Sequence, residues 1–189
     1  MKNILLFHLG IENIGAINNK LNEDFDIKFF SYVKLIEEEL RLKSTLGAKT
    51  HKYIKERYLP DTEVYFELLE SYFKRSTDAG MLFSPFFELE EYLPRFIELH
   101  QTFEHSLYII HFDETFEQTY KMVLENNLML KSMDNFEEVV MKRAKNHYLY
   151  IQLKLDLTKN LPNRLVLNAH LPLEDLQTKI ATFYTQNEN

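Results

Sequence analysis

The side chains able to do chemistry in this chain are histidines, carboxylates and one small basic group, and their spacing decides what each can do. His100, His105, His111 and His147, four of the seven histidines, form no i,i+4 pair with the carboxylate arrangement typical of metal ligands, so they read as surface or helix-packing groups. Glu88, Glu90 and Glu91, with Glu98 beyond them, have the number of oxygens a divalent cation needs, yet the same density reads as a solvated acidic helix face. Glu37-Glu38-Glu39 reads the same way. Lys142, Arg143 and Lys145 suit i,i+4 pairing with acids such as Glu138, with an anion contact by Arg143 as the other use. Cysteine is absent, which excludes disulfides, thiolate metal sites and cysteine nucleophiles. Only four glycines occur (Gly10, Gly15, Gly47 and Gly80), too few for a generous phosphate-binding loop.

The elements that must position these groups follow from composition and pattern. At 189 residues and 45% hydrophobic content the chain can bury a core as a single domain. A formal net charge of −7 argues against DNA, RNA or anionic membrane as partner. No apolar run approaches the ~20 residues that cross a bilayer. The run Ile4-Leu5-Leu6-Phe7 is too short for a signal-peptide core, so a cytoplasmic location is expected. Fifteen phenylalanines and eleven tyrosines supply most of the expected core.

Short apolar runs at 2–8, 26–31, 80–83, 106–112 and 164–168 read as strands. Between and after them lie helical patterns at 16–21, 34–42, 46–58, 63–74, 89–103, 115–124, 134–155 and 173–184. Ser31, Asp61 and Asp113 are expected as N-caps, and Asp134 with Glu137 as a capping-box start. Apolar strands alternating with helices predict an α/β fold: a three-layer, doubly wound, five-stranded parallel sheet. Function in such a sheet sits at the carboxyl ends of its strands, which directs attention to residues 8–15, 31–34, 84–88, 112–114 and 168–171.

Five strings in this order resemble the adenylate kinase family of nucleoside monophosphate kinases, with its P-loop NTPase fold. They are Ser44-Thr45-Leu46-Gly47; Tyr58-Leu59-Pro60-Asp61; Gly80-Met81-Leu82-Phe83; Asp134 to Glu138 with Lys142-Arg143; and Leu167-Asn168-Ala169. The resemblance covers essentially the whole chain. It implies one domain over 1–189, with a core of 1–30, 61–123 and 135–189, a monophosphate-binding helical insert at 31–60 and a short lid at 124–134. The family reaction, phosphoryl transfer from ATP with Mg²⁺, needs a glycine loop, a lysine and clamping arginines.

At the positions the resemblance implies, most of that equipment is replaced. The loop reads Phe7-His8-Leu9-Gly10-Ile11-Glu12-Asn13-Ile14-Gly15, in which Gly10 is retained in register. Asn13 stands for the lysine, Glu12 for a glycine, and Gly15 for the hydroxyl residue beside Mg²⁺. Glu37 and Glu88 stand for arginines, Ser84 for an aspartate, and Thr119, Val123 and Ser132 for further arginines. Arg143 alone among the clamp arginines is in place. Losing one pre-organised donor costs on the order of 10²–10³ in rate. One wrong-sign charge at ~4 Å costs ~4 kcal/mol at an effective dielectric near 20.

The resemblance therefore implies a degenerate, catalytically inactive binding or regulatory protein, whose partner is a weakly held nucleotide or another protein. A residual phosphate site would use Gly10, Asn13, Gly15 and Arg143; no metal ligand is expected. The alternative is a divergent nucleoside monophosphate kinase using ATP and Mg²⁺, with a lysine such as Lys34 or Lys121 recruited. A third reading gives the cleft a less anionic ligand. Pro85, Phe86 and Phe87 are candidates to fill it or to meet a partner.

Overall fold

Strands and helices alternate along the chain because each buried apolar run is followed by an amphipathic one. The computed structural model describes residues 1–7, 14–56, 60–77, 80–83, 89–127, 131 and 134–186. In order the elements are β1 (Lys2–Phe7), α1 (Ile14–Phe25), β2 (Ile27–Phe29), α2 (Tyr32–Arg41), α3 (Thr45–Glu56), α4 (Thr62–Arg75) and β3 (Gly80–Phe83). Then follow α5 (Leu89–Thr102), β4 (Ser106–Asp113), α6 (Phe116–Asn126), α7 (Phe136–Thr158), β5 (Arg164–Asn168) and α8 (Leu173–Gln186).

The strands form one five-stranded sheet in the order β2-β3-β1-β4-β5, with every pairing parallel. This order is neither the dinucleotide-binding order, which begins 3-2-1, nor the flavodoxin-like 2-1-3-4-5. Strand β1 shows why the sheet has two covered faces. Ile4 and Leu6 enter one apolar cluster with Ile17, Leu21, Leu176 and Ile180 of α1 and α8. Leu5 and Phe7 enter the other, with residues of α2 to α5. The two-residue period of a strand sends alternate side chains to opposite layers, so three layers result. The fold is thus α/β and doubly wound. A third cluster, Val123, Phe136, Val140 and Ala144, closes the α6–α7 hairpin.

Helix α1, which follows β1, lies on one face, whereas α5, which follows β3, lies on the other. The crevice beyond the carboxyl end of β1 is therefore a topological switch point, the usual place for a site in this architecture.

Several local expectations are corrected by the structure. Ser31 caps α2 as expected, its side chain accepting from Lys34 N–H. Asp61 precedes α4 but makes no side-chain cap; its Oδ2 instead accepts the Tyr53 hydroxyl at 2.7 Å. Asp113 is the last residue of β4, and α6 is capped by Thr115 in a reciprocal box with Gln118. Asp134 is exposed, and Asn135 holds the N-cap position of α7 without a side-chain bond. The second strand shrinks to Ile27–Phe29 because Asp26 turns through a left-handed φ of 53°. Among the described residues no helix is long and apolar enough to cross a membrane.

Candidate functional site

At the carboxyl edge of the sheet Phe7 pairs with His111, and His111 with Val166, so these three residues share one level across β1, β4 and β5. The His111 ring stacks on Phe7, with centroids 4.5 Å apart and planes at 16°. Its Nε2 lies 2.6 Å from Thr158 Oγ1 at the end of α7. The Thr158 hydroxyl gives its single proton to the Lys154 carbonyl at 2.8 Å and accepts Arg164 Nε at 3.3 Å. A hydroxyl has one hydrogen and two lone pairs, so the remaining lone pair accepts an Nε2–H from His111. That assignment leaves Nδ1 as an acceptor. Burial, with the positive Arg164 and Lys154 nearby, lowers the His111 pKa to about 3, which keeps the ring neutral.

Lys154 is the unexpected member of this group. Its side chain is buried, and its ammonium lies 3.9 Å from the Tyr150 ring centroid and 5.4 Å from that of Phe7. Cation–π attraction partly replaces the lost water. No carboxylate pairs with it among the described residues. Burial lowers its pKa to about 8, so at neutral pH it is a charged, incompletely compensated cation. It stands beside the last residue of the central strand. Such a group can hold an anion, and the neutral His111 beside it can accept a hydrogen bond.

A second cluster continues from the end of β4. Glu114 is buried, and its Oε2 accepts the Thr119 hydroxyl at 3.3 Å. Burial raises its pKa, against the opposing influence of His170 and the Thr119 bond. The neighbouring Asp113 Oδ1 is buried without a partner, while the Asp113 carbonyl accepts Ala169 N–H at 3.1 Å. Asn168 Oδ1 closes the turn after β5 by accepting His170 N–H at 2.8 Å.

The site residues read from sequence are placed as follows. Gly10, Asn13, Ser84 and Glu88, together with Glu12, Ser132, Pro85, Phe86 and Phe87, lie outside the described residues. Gly15 is the second residue of α1 and is exposed, and a Cβ there would meet nothing within 4 Å. Glu37 and Lys34 are exposed on α2, and Lys121 is exposed on α6. Thr119 is fully buried against Glu114, and Val123 belongs to the hairpin core. Arg143 is exposed on α7 and donates to Asn127 Oδ1 across the hairpin, rather than pairing with an acid of its own helix. It is eleven residues from Lys154 on the same helix, so the structure does not bring it to the His111 cluster.

Sequence reasoning missed Lys154, Thr158 and Arg164. The available signal was a lysine and a threonine four residues apart on the face of α7 that also carries Ile151. No group of three or more His, Asp or Glu suited to a metal ion occurs among the described residues. No family model matches the chain, and no curated protein matches it either.

Proposed function

We propose that the chain is an adenylate-kinase-like scaffold that has lost phosphoryl transfer and serves as a non-catalytic binding or regulatory protein. The observation that carries this reading is an all-parallel 2-3-1-4-5 sheet whose predicted cation positions hold other groups. Glu37 is an exposed acid where the resemblance implies an arginine, and Thr119 and Val123 are buried in packing where it implies two more. The space between the sheet and helices α2 to α4 is also well filled. Phe30 meets Tyr65 at 5.4 Å and Phe83 at 5.0 Å, and the Tyr53 hydroxyl is bonded to Asp61.

A coupled assay with ATP and AMP, dCMP or UMP at high protein concentration tests the reading. The expected result is no turnover above background, and clear turnover would overturn it.

The second reading, a divergent nucleoside monophosphate kinase, is favoured by one observation, the buried ammonium of Lys154 beside Phe7. This lysine is better placed to replace a missing loop cation than the exposed Lys34 or Lys121. Thermal-shift measurements with ATP, AMP and a bisubstrate dinucleotide discriminate the two. Stabilisation that disappears in Lys154→Met or Arg143→Met favours the kinase reading, and no shift at millimolar ligand counts against it.

A further inference from the structure

Helix α7 carries apolar side chains on two sides. The inner side buries Phe136, Val140, Ala144 and Ile151. The outer side belongs to its second half, where Leu149, Leu153 and Leu157 follow one another four residues apart and so form a single row along the helix. Leu149 is 65% exposed, more than any other large apolar side chain among the described residues. Leu157 is exposed and Leu153 half-buried, and the exposed Tyr150 borders the row. One apolar stripe is enough to seat a helix on a sheet. A second one, on the solvent side, is the mark of a surface that meets another molecule.

The order of residue types along the row names its occupant. Asn146 precedes Leu149 by three residues, and Asn160 follows Leu157 by three, both exposed. The series Asn146-Leu149-Leu153-Leu157-Asn160 is therefore spaced 3, 4, 4, 3 and reads the same, type by type, in either direction. Two copies related by a two-fold axis must each present a patch that matches itself when reversed, a condition no unrelated partner imposes. With the axis at Leu153, that residue meets its own copy, Leu149 lies beside Leu157, and Asn146 comes level with Asn160. A side-chain amide both donates and accepts, so the asparagines can pair at each end. The charges agree with this arrangement. Asp156 and Lys159, which pair with each other at 3.7 Å, come level with Tyr150 and His147, so no acid is set against an acid. Rows of residues four apart are also the ridges that interlock most often between helices, with axes about 8–10 Å apart.

We propose that two copies of the chain associate through this row, α7 against α7 in antiparallel sense, about a two-fold axis at Leu153. Four turns of one helix make a smaller contact than the roughly 800 Å² per partner of a tight complex, so the dimer is reversible and depends on concentration. The proposal does not depend on the nucleotide-kinase reading.

Sedimentation equilibrium of the full chain from about 5 to about 500 µM reads the association directly. The expected mass rises from 22.7 kDa towards its double with concentration. Leu149→Glu changes an exposed side chain that the fold does not bury, and should weaken the dimer by about tenfold or more, because the contact is lost twice per dimer. The chain contains no cysteine, so single introduced thiols report the geometry. Under mild oxidation Leu153→Cys should cross-link to itself, and Asn146→Cys should cross-link to Asn160→Cys but not to itself. A chain that stays monomeric at about 500 µM overturns the proposal and leaves the row to a different protein. So does a dimer of unchanged affinity in Leu149→Glu, a dimer in which Leu153→Cys stays reduced, or self-cross-linking of Asn146→Cys, which would mark parallel helices.

Discussion

His111 Nε2 and Thr158 Oγ1 lie 2.6 Å apart, joining strand β4 to the last residue of α7 through one hydroxyl that also binds Arg164 and the Lys154 carbonyl. This one contact fixes the tautomer of the histidine and the position of the helix end together.

Acid is expected to unfold the protein through its buried histidines. The pKa of His100 is lowered to about 4 and that of His111 to about 3, both chiefly by burial, against an unfolded value near 6.5. The unfolded chain therefore binds more protons below pH 6.5, and stability falls as pH drops from there towards 4. By pH 4.5 each ring costs on the order of 2–3 kcal/mol. Glu114, whose pKa is raised, acts in the opposite sense and offsets part of the loss. Urea midpoints at pH 7.5, 6 and 4.5 check this; a flat profile across that window contradicts it.

Lys154 is expected to cost stability. Its folded pKa of about 8 lies below the unfolded 10.5, so stability is reduced as pH falls from about 10.5 to 8 and stays reduced at pH 7. Cation–π contact with Tyr150 and Phe7 offsets part of that. Lys154→Met keeps the unbranched stem and should be more stable by ~1–2 kcal/mol at pH 7, with the gain vanishing above pH 10.5. Chemical denaturation of both proteins at pH 7 and 10.5 measures it. A loss of stability at pH 7 would show that the ammonium has a stabilising partner.

Glu39 ties three helices. Its buried carboxylate accepts the Ser44 hydroxyl at 2.5 Å, the Ser71 hydroxyl at 2.7 Å and the guanidinium of Arg75. Glu39→Ala leaves those donors facing a void and should cost ~3–5 kcal/mol, more than Arg75→Met, which leaves two hydroxyls on the carboxylate. Equal losses in thermal denaturation would argue against a shared hub.

Two glycines should respond in opposite directions to alanine. A Cβ on Gly47 would sit 2.6 Å from the Glu39 carbonyl carbon and oxygen, where α3 crosses α2, so Gly47→Ala should destabilise by ~1–3 kcal/mol. Gly15 has open space around it in α1, and Gly15→Ala should stabilise by up to ~1 kcal/mol. Melting temperatures of the pair check both signs.

The parallel sheet was legible because apolar runs such as 2–8 and 106–112 alternate with helical periods, and tertiary packing had nothing to overrule there. The Ser31 cap was legible for a local reason, a hydroxyl three residues before the amide it receives. Asp113 misled because a strand ran one residue further than its apolar pattern, which passed the capping task to Thr115. The His111 cluster was hidden for the same kind of reason. Its lysine and threonine lie on a mostly polar helix, and their burial comes from the way the end of α7 docks on β4, a long-range contact that no local window contains.

Helix α7, with 23 residues, is a stiff rod of roughly 35 Å. It anchors Arg143 to the α6 hairpin near one end and seats Lys154 beside Phe7 about 16 Å further along its axis. The two ends cannot be displaced independently. Any tilt of the hairpin is levered directly onto the mouth of the central strand, which makes the helix a mechanical arm as well as a packing surface.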